Sequence, residues 1–139
     1  MPPPVREQRN PYKGSPFRAF LRVELIALDG SAIELEVLAD TGNPCAIVVA
    51  SSNMQRCKRR AAPDKNTNFG VLEGGWLRLR ISAIGLDELV LGYASDAVVA
   101  ATQQSSPDFE GLGGLPLLCQ AEYGGDATAF WLRVAAVVP

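Results

Sequence analysis

Histidine is absent from this 139-residue chain, and its absence removes whole classes of chemistry. No Ser-His-Asp or Cys-His nucleophile pair, no imidazole general base and no His-ligated metal can be assembled from it. Cysteine is scarce. Three thiols cannot fill a four-thiolate zinc site, and Cys45, Cys57 and Cys119 lie too far apart for a Cys-x-x-Cys motif. Long apolar runs are missing as well: the longest aliphatic stretches, such as Ala46–Ala50 and Val134–Val138, have five residues. A membrane span needs about 20. The opening Met1-Pro2-Pro3-Pro4 and the polar residues through Ser15 hold no apolar stretch of the signal-peptide kind. These absences lead to the expectation of a cytoplasmic protein with free thiols, no membrane partner, no metal and no cofactor. Chemistry must then come from carboxylates, hydroxyls, amines, thiols or the backbone.

Net charge is −2, but it is unevenly spread. Residues 1–22 carry five basic side chains against Glu7, and residues 51–65 carry Arg56, Lys58, Arg59, Arg60 and Lys65 against Asp64. The Arg56–Arg60 cluster has only Phe69 near it to stack on bases, so a solvated face is the favoured reading and nucleic acid the minor one.

The length suits one domain. Residues 1–17 hold five of the ten prolines and read as a flexible, Pro-rich N-terminal arm; residues 18–139 form the domain proper. Strict alternation of Leu21, Val23 and Leu25 with Arg22 and Glu24, then of Ile33, Leu35 and Val37 beyond Asp29-Gly30, predicts an antiparallel hairpin with one buried face. Cys45–Ala50 predicts a further strand, and residues 51–68 a short helix plus a loop. Phe69–Leu72, a turn at Gly74-Gly75, and strands at Trp76–Ile81, Leu89–Leu91, Ala97–Ala101 and Phe130–Val138 complete the series. Leu115–Gln120 is the best short-helix candidate. Many short strands at such spacing indicate an all-β barrel or sandwich with one short helix near the C-terminus.

One turn stands apart. Asp40-Thr41-Gly42 lies between the apolar stretches Val37-Leu38-Ala39 and Ala46-Ile47-Val48-Val49, which should hold its carboxylate near the core. A carboxylate there pays a desolvation cost unless it is hydrogen-bonded or shares a proton. Apolar strand, Asp-Thr-Gly, apolar strand resembles the signature of the retroviral-type (retropepsin-like), single-lobe aspartic proteases, of the bacterial- or archaeal-like kind. A second mark of that family is an apolar–apolar–Gly step leading into a short late helix. Leu112-Gly113-Gly114 followed by Leu115–Leu118 is similar to that step, 74 residues beyond Asp40. Between the two, the glycine-rich stretch Phe69–Trp76 matches the position of the family's substrate-covering hairpin flap, although its glycines equally suit an ordinary hairpin.

The resemblance implies a closed acid-protease-type β-barrel. It also implies an aspartic endopeptidase that hydrolyses peptide bonds by using a pair of carboxylates to activate water. Asp40, Thr41 and Gly42 would be the catalytic turn; Asn43, Phe69, Gly70, Val71 and Gly74 would contact substrate; Leu112, Gly113 and Gly114 would support the turn. Because the chain has one Asp-Thr-Gly, a homodimer would complete the site, with a peptide or protein as substrate. The alternative is a non-catalytic dimeric β-module of the same fold that binds a peptide or protein partner. Phe130–Val138 suits either pairing between subunits or a plain barrel strand, and Trp76 and Trp131 read as core or interface residues.

Overall fold

Alternation sets the first hairpin. In the computed structural model, which describes residues 5–14 and 17–135, β2 (Phe20–Ile26) and β3 (Ala32–Asp40) pair antiparallel from Phe20↔Leu38 to Ile26↔Ala32. Leu21, Val23, Leu25, Leu35 and Val37 are buried on one face. The turn is locked by the Asp29 carboxylate, which accepts the Ser31 N–H at 2.9 Å and the Ser31 hydroxyl at 2.6 Å. Those bonds hold the Asp29 carboxyl below its usual range.

Six strands close into a barrel. From β2 and β3 the ring passes through β8 (Gly111–Gly114), β4 (Ile47–Val49), β7 (Leu86–Ala94) and β6 (Gly70–Ile81), and β6 returns to β2 through Glu24↔Arg80 and Leu25↔Leu79. Arg80 donates through Nε and Nη2 to Glu24 Oε2 at 3.1 and 2.6 Å across this seam. Closure leaves no open edge within the ring. Ile47, Val49, Leu77, Leu79, Ile81 and Val90 fill the interior, and helix α1 (Ser51–Cys57) plugs it with Met54 and Cys57. Each such large aliphatic side chain contributes roughly 1.5–3 kcal/mol on burial. Burial also pushes the Cys57 thiol pKa up. All three cysteines are free; Cys45 is buried and Cys119 exposed.

A second, three-stranded sheet packs against the barrel. Residues Val5–Pro11 of the N-terminal arm are tied down here: as β1 (Val5–Pro11) they pair with β10 (Ala129–Ala135) over seven positions, and β10 pairs on its other side with β9 (Glu122–Gly125). Phe130 and Leu132 join the barrel core. Over Phe130–Arg133 both edges of β10 are occupied within the chain, which leaves no edge there for a subunit-bridging pairing; Val134 and Ala135 pair with β1 alone, and the expected extension through Val138 lies outside the described residues.

Two further expectations are overturned. Residues 97–101 are not a strand but part of helix α2 (Asp96–Ser105). An uninterrupted apolar run has no period of its own, and the cap decides: Ser95 Oγ accepts the Val98 N–H at 3.1 Å, with Asp96 in the first turn. Gly74-Gly75 is no turn either. It lies inside the twelve-residue β6, paired with β5 (Arg60–Thr67), where the sequence suggests a loop. A Cβ on Gly74 would sit 2.4 Å from the Pro63 carbonyl oxygen, and one on Gly75 2.6 Å from Met54 Sδ. These glycines serve close approach, not chain reversal. The reversal falls at Asn68-Phe69, before Gly70 with its φ of +95°. The short helix near the C-terminus is α3 (Leu115–Leu118).

Candidate active site

The site grows from the way β8 is threaded. It runs parallel to β3, with Asp40 opposite Gly114, and antiparallel to β4, with Ile47 opposite Gly113. The chain leaving β3 at Asp40 must therefore cross over the end of β8 to reach β4. It does so at van der Waals limits. Gly114 N–H donates to the Ala46 carbonyl at 2.9 Å, Leu115 N–H donates to the Asn43 carbonyl at 3.0 Å, and a Cβ on Gly114 would fall 1.8 Å from the Cys45 carbonyl oxygen. Only glycine fits beneath this crossing.

The crossing itself is a tight turn. Asn43 N–H donates to the Asp40 carbonyl at 3.1 Å, and the Asp40 carboxylate accepts the Gly42 N–H at 3.0 Å through Oδ1. Asn43 Oδ1 accepts the Cys45 N–H at 2.9 Å, which compensates locally for the donor missing at Pro44. Asn43 Nδ2 is buried with no hydrogen-bond partner among the described residues. Asp40 is half-buried and Thr41 exposed.

Asp40 borders a cavity of about 240 Å³. Gly42, Asn43 and Cys45 extend its floor, Val48, Val98 and Leu112 form an apolar wall, and the β5–β6 hairpin covers it with Lys65, Thr67, Phe69 and Leu72. Among the described residues Asp40 is the sole carboxylate lining it and Lys65 the sole cation. Away from the cavity, Asp87 is held below its usual range by its hydrogen bonds from Arg78, and Asp126 by the Thr128 and Ala129 donors.

Asp40, Gly42, Asn43, Phe69 and Leu112 thus meet at one cavity, while Gly113 and Gly114 lie beneath the turn. Gly70, Val71 and Gly74 do not line it: Gly70 ends the hairpin turn, Val71 points outward at 63% exposure, and Gly74 packs against Pro63. Sequence reasoning missed Pro44, Cys45, Val48, Lys65, Thr67, Leu72 and Val98. Alternation along β6 does not point to Leu72, because the buried set Leu77, Leu79 and Ile81 projects back onto Gly75, Glu73 and Val71. Val98 was hidden by reading its helix as a strand.

The basic cluster is largely spent within the fold. Lys58 pairs with Glu73 at 3.0 Å, Arg59 Nη2 donates to the Ile26 and Ala27 carbonyls at 3.1 and 3.2 Å, and Arg60 lies over the Trp76 ring. Among the described residues no group of three or more Cys, Asp or Glu is arranged to hold a metal, and no helix is long and apolar enough to cross a membrane. No family model, curated protein or solved structure matches this chain.

Proposed function

We propose that the chain is an aspartic endopeptidase of acid-protease type whose active site is completed by a second copy of itself. The observation that carries the reading is a single half-buried carboxylate, Asp40, at the edge of an otherwise mostly apolar cavity roofed by a hairpin. The closed barrel and the Gly114-led helix beneath the Asp40 turn also support it.

The chemistry follows from one physical constraint. Two carboxylates about 3 Å apart cannot both ionise, so a facing pair holds one proton. The charged member takes a proton from water as that water attacks the scissile carbonyl carbon, while the neutral member donates its proton to the carbonyl oxygen. Neither histidine nor metal is needed. One chain supplies one such carboxylate to the cavity, and a two-fold axis through the exposed Thr41 turn would supply the other. The hairpin would exclude water from the bound peptide, which strengthens every interaction inside. The two apparent pKa values would belong to the pair.

The test is cleavage of a peptide library between pH 3 and 8 by the parent and by Asp40→Asn. The parent is expected to cleave, and Asp40→Asn to lose at least about a hundredfold in rate. Equal cleavage by the two proteins would overturn the assignment. Binding without turnover by the parent would leave the non-catalytic β-module in its place.

A further inference from the structure

Lys65 owes its place in the cavity to an irregularity in the hairpin. In a regular β5, the face presented by Ala62 would next present Asp64 and Asn66. Instead Ala62 pairs with Gly74 and Lys65 with Leu72, so that Pro63 and Asp64 together span the single residue Glu73. This is a β-bulge, and it re-aims everything beyond it. Asp64 is turned out to solvent, where its Oδ1 accepts the Gly74 N–H at 3.3 Å and pins the bulge. Lys65 and Thr67 turn in beside Leu72. The slip replaces a carboxylate by an ammonium on the face that covers Asp40.

That ammonium is poorly matched inside the chain. Nζ lies 3.9 Å from Cys45 Sγ and 5.8 Å from the centre of the Tyr93 ring. Lys65 has no ion pair among the described residues, whereas Lys13 and Lys58 are paired with Glu36 and Glu73. It is half-buried, and it also borders the neighbouring cavity of about 310 Å³ beyond Pro44 and Cys45, so it stands where the two spaces meet. A partly desolvated cation facing an apolar cavity gains most from a carboxylate brought in by a ligand.

We propose that Lys65 is a specificity-determining residue that selects an Asp or Glu side chain in the peptide lying under the hairpin. The proposal rests on reading the cavity as a peptide site. The Nζ donates to the incoming carboxylate, and a Gln of equal length keeps the shape but loses the charge. An arginine at this position preserves the selection, and an acid reverses it.

The experiment uses fluorescently labelled eight-residue peptides that carry Glu or Gln at each position in turn, with the parent, Lys65→Met, Lys65→Arg and Lys65→Glu. At one position the parent is expected to show a kcat/KM about tenfold higher for Glu than for Gln, the scale of one charge-assisted hydrogen bond. The ratio should fall to about one in Lys65→Met, persist in Lys65→Arg and fall below one in Lys65→Glu. No preference for Glu at any position, or a preference that survives Lys65→Met, would overturn the proposal. If the parent cleaves none of the peptides, the catalytic reading fails on its own, and fluorescence anisotropy with the same peptides decides the role of Lys65. A Glu-over-Gln binding preference lost in Lys65→Met sustains it; equal binding, or none, overturns it.

Discussion

Gly113 and Gly114 are neighbours in sequence with different tolerances, and the difference is set by what each would strike. A Cβ on Gly114 meets a backbone carbonyl oxygen, that of Cys45, at 1.8 Å, whereas one on Gly113 meets the side-chain methyls of Leu21 and Val37 at 3.1 and 3.2 Å. Methyl groups can shift by a few tenths of an ångström; the crossing turn cannot without losing its bonds to β8. Gly114→Ala is therefore expected to destabilise the fold by about 3 kcal/mol or more, and Gly113→Ala by about 1 kcal/mol. Urea titration of the two variants checks the order, and equal midpoints would contradict it. The same pair shows what the sequence could convey. Gly114 was legible as the glycine that leads a helix; that Leu21, Val37 and Leu117 take up the space over Gly113 required the packed structure.

At the scale of elements, period-two alternation made β2, β3 and the second half of β6 readable, because one buried face writes itself into every second residue. It failed where that rule does not apply. Helix α2 has an apolar run with no period, β5 is mostly exposed and interrupted by Pro63, and the bulge that aims Lys65 has no local composition signal. The turn joining β9 and β10 carries a different sort of prediction. The Asp126 carboxylate accepts the Thr128 N–H at 2.8 Å, the Thr128 hydroxyl at 2.9 Å and the Ala129 N–H at 3.0 Å, and pairs with Arg9 of β1. These bonds hold its carboxyl well below the usual range. A depressed folded-state pKa contributes stability that is present above the unfolded value of about 3.9 and lost as the pH falls toward the folded value. Asp126→Asn is thus expected to be less stable than the parent at pH 7, with the gap narrowing as the pH drops below about 4. Denaturant titrations at stepped pH measure it, and a gap independent of pH would contradict the assignment.

At the scale of the whole molecule, closure and incompleteness coexist. The ring closes on itself through β2 and β6, and β10 has both edges filled over Phe130–Arg133, so strand pairing is satisfied at these places inside one chain. The cavity, by contrast, has one carboxylate where the proposed chemistry requires two. On the proposed reading a complete active site requires association, and activity per chain is expected to fall on dilution below the dissociation constant of such a dimer. Specific activity followed over a dilution series, beside sedimentation at the same concentrations, checks this; activity constant across dissociation would contradict it.

The most direct test mixes the parent with Asp40→Asn at fixed total concentration, under exchange, and records peptide cleavage against the parent fraction. If each active site needs an Asp40 from both copies, random association makes activity follow the square of that fraction, so an equal mixture keeps about one quarter of the parent rate. A linear dependence, with half the rate retained, would mean that one chain carries a complete site and would contradict the account.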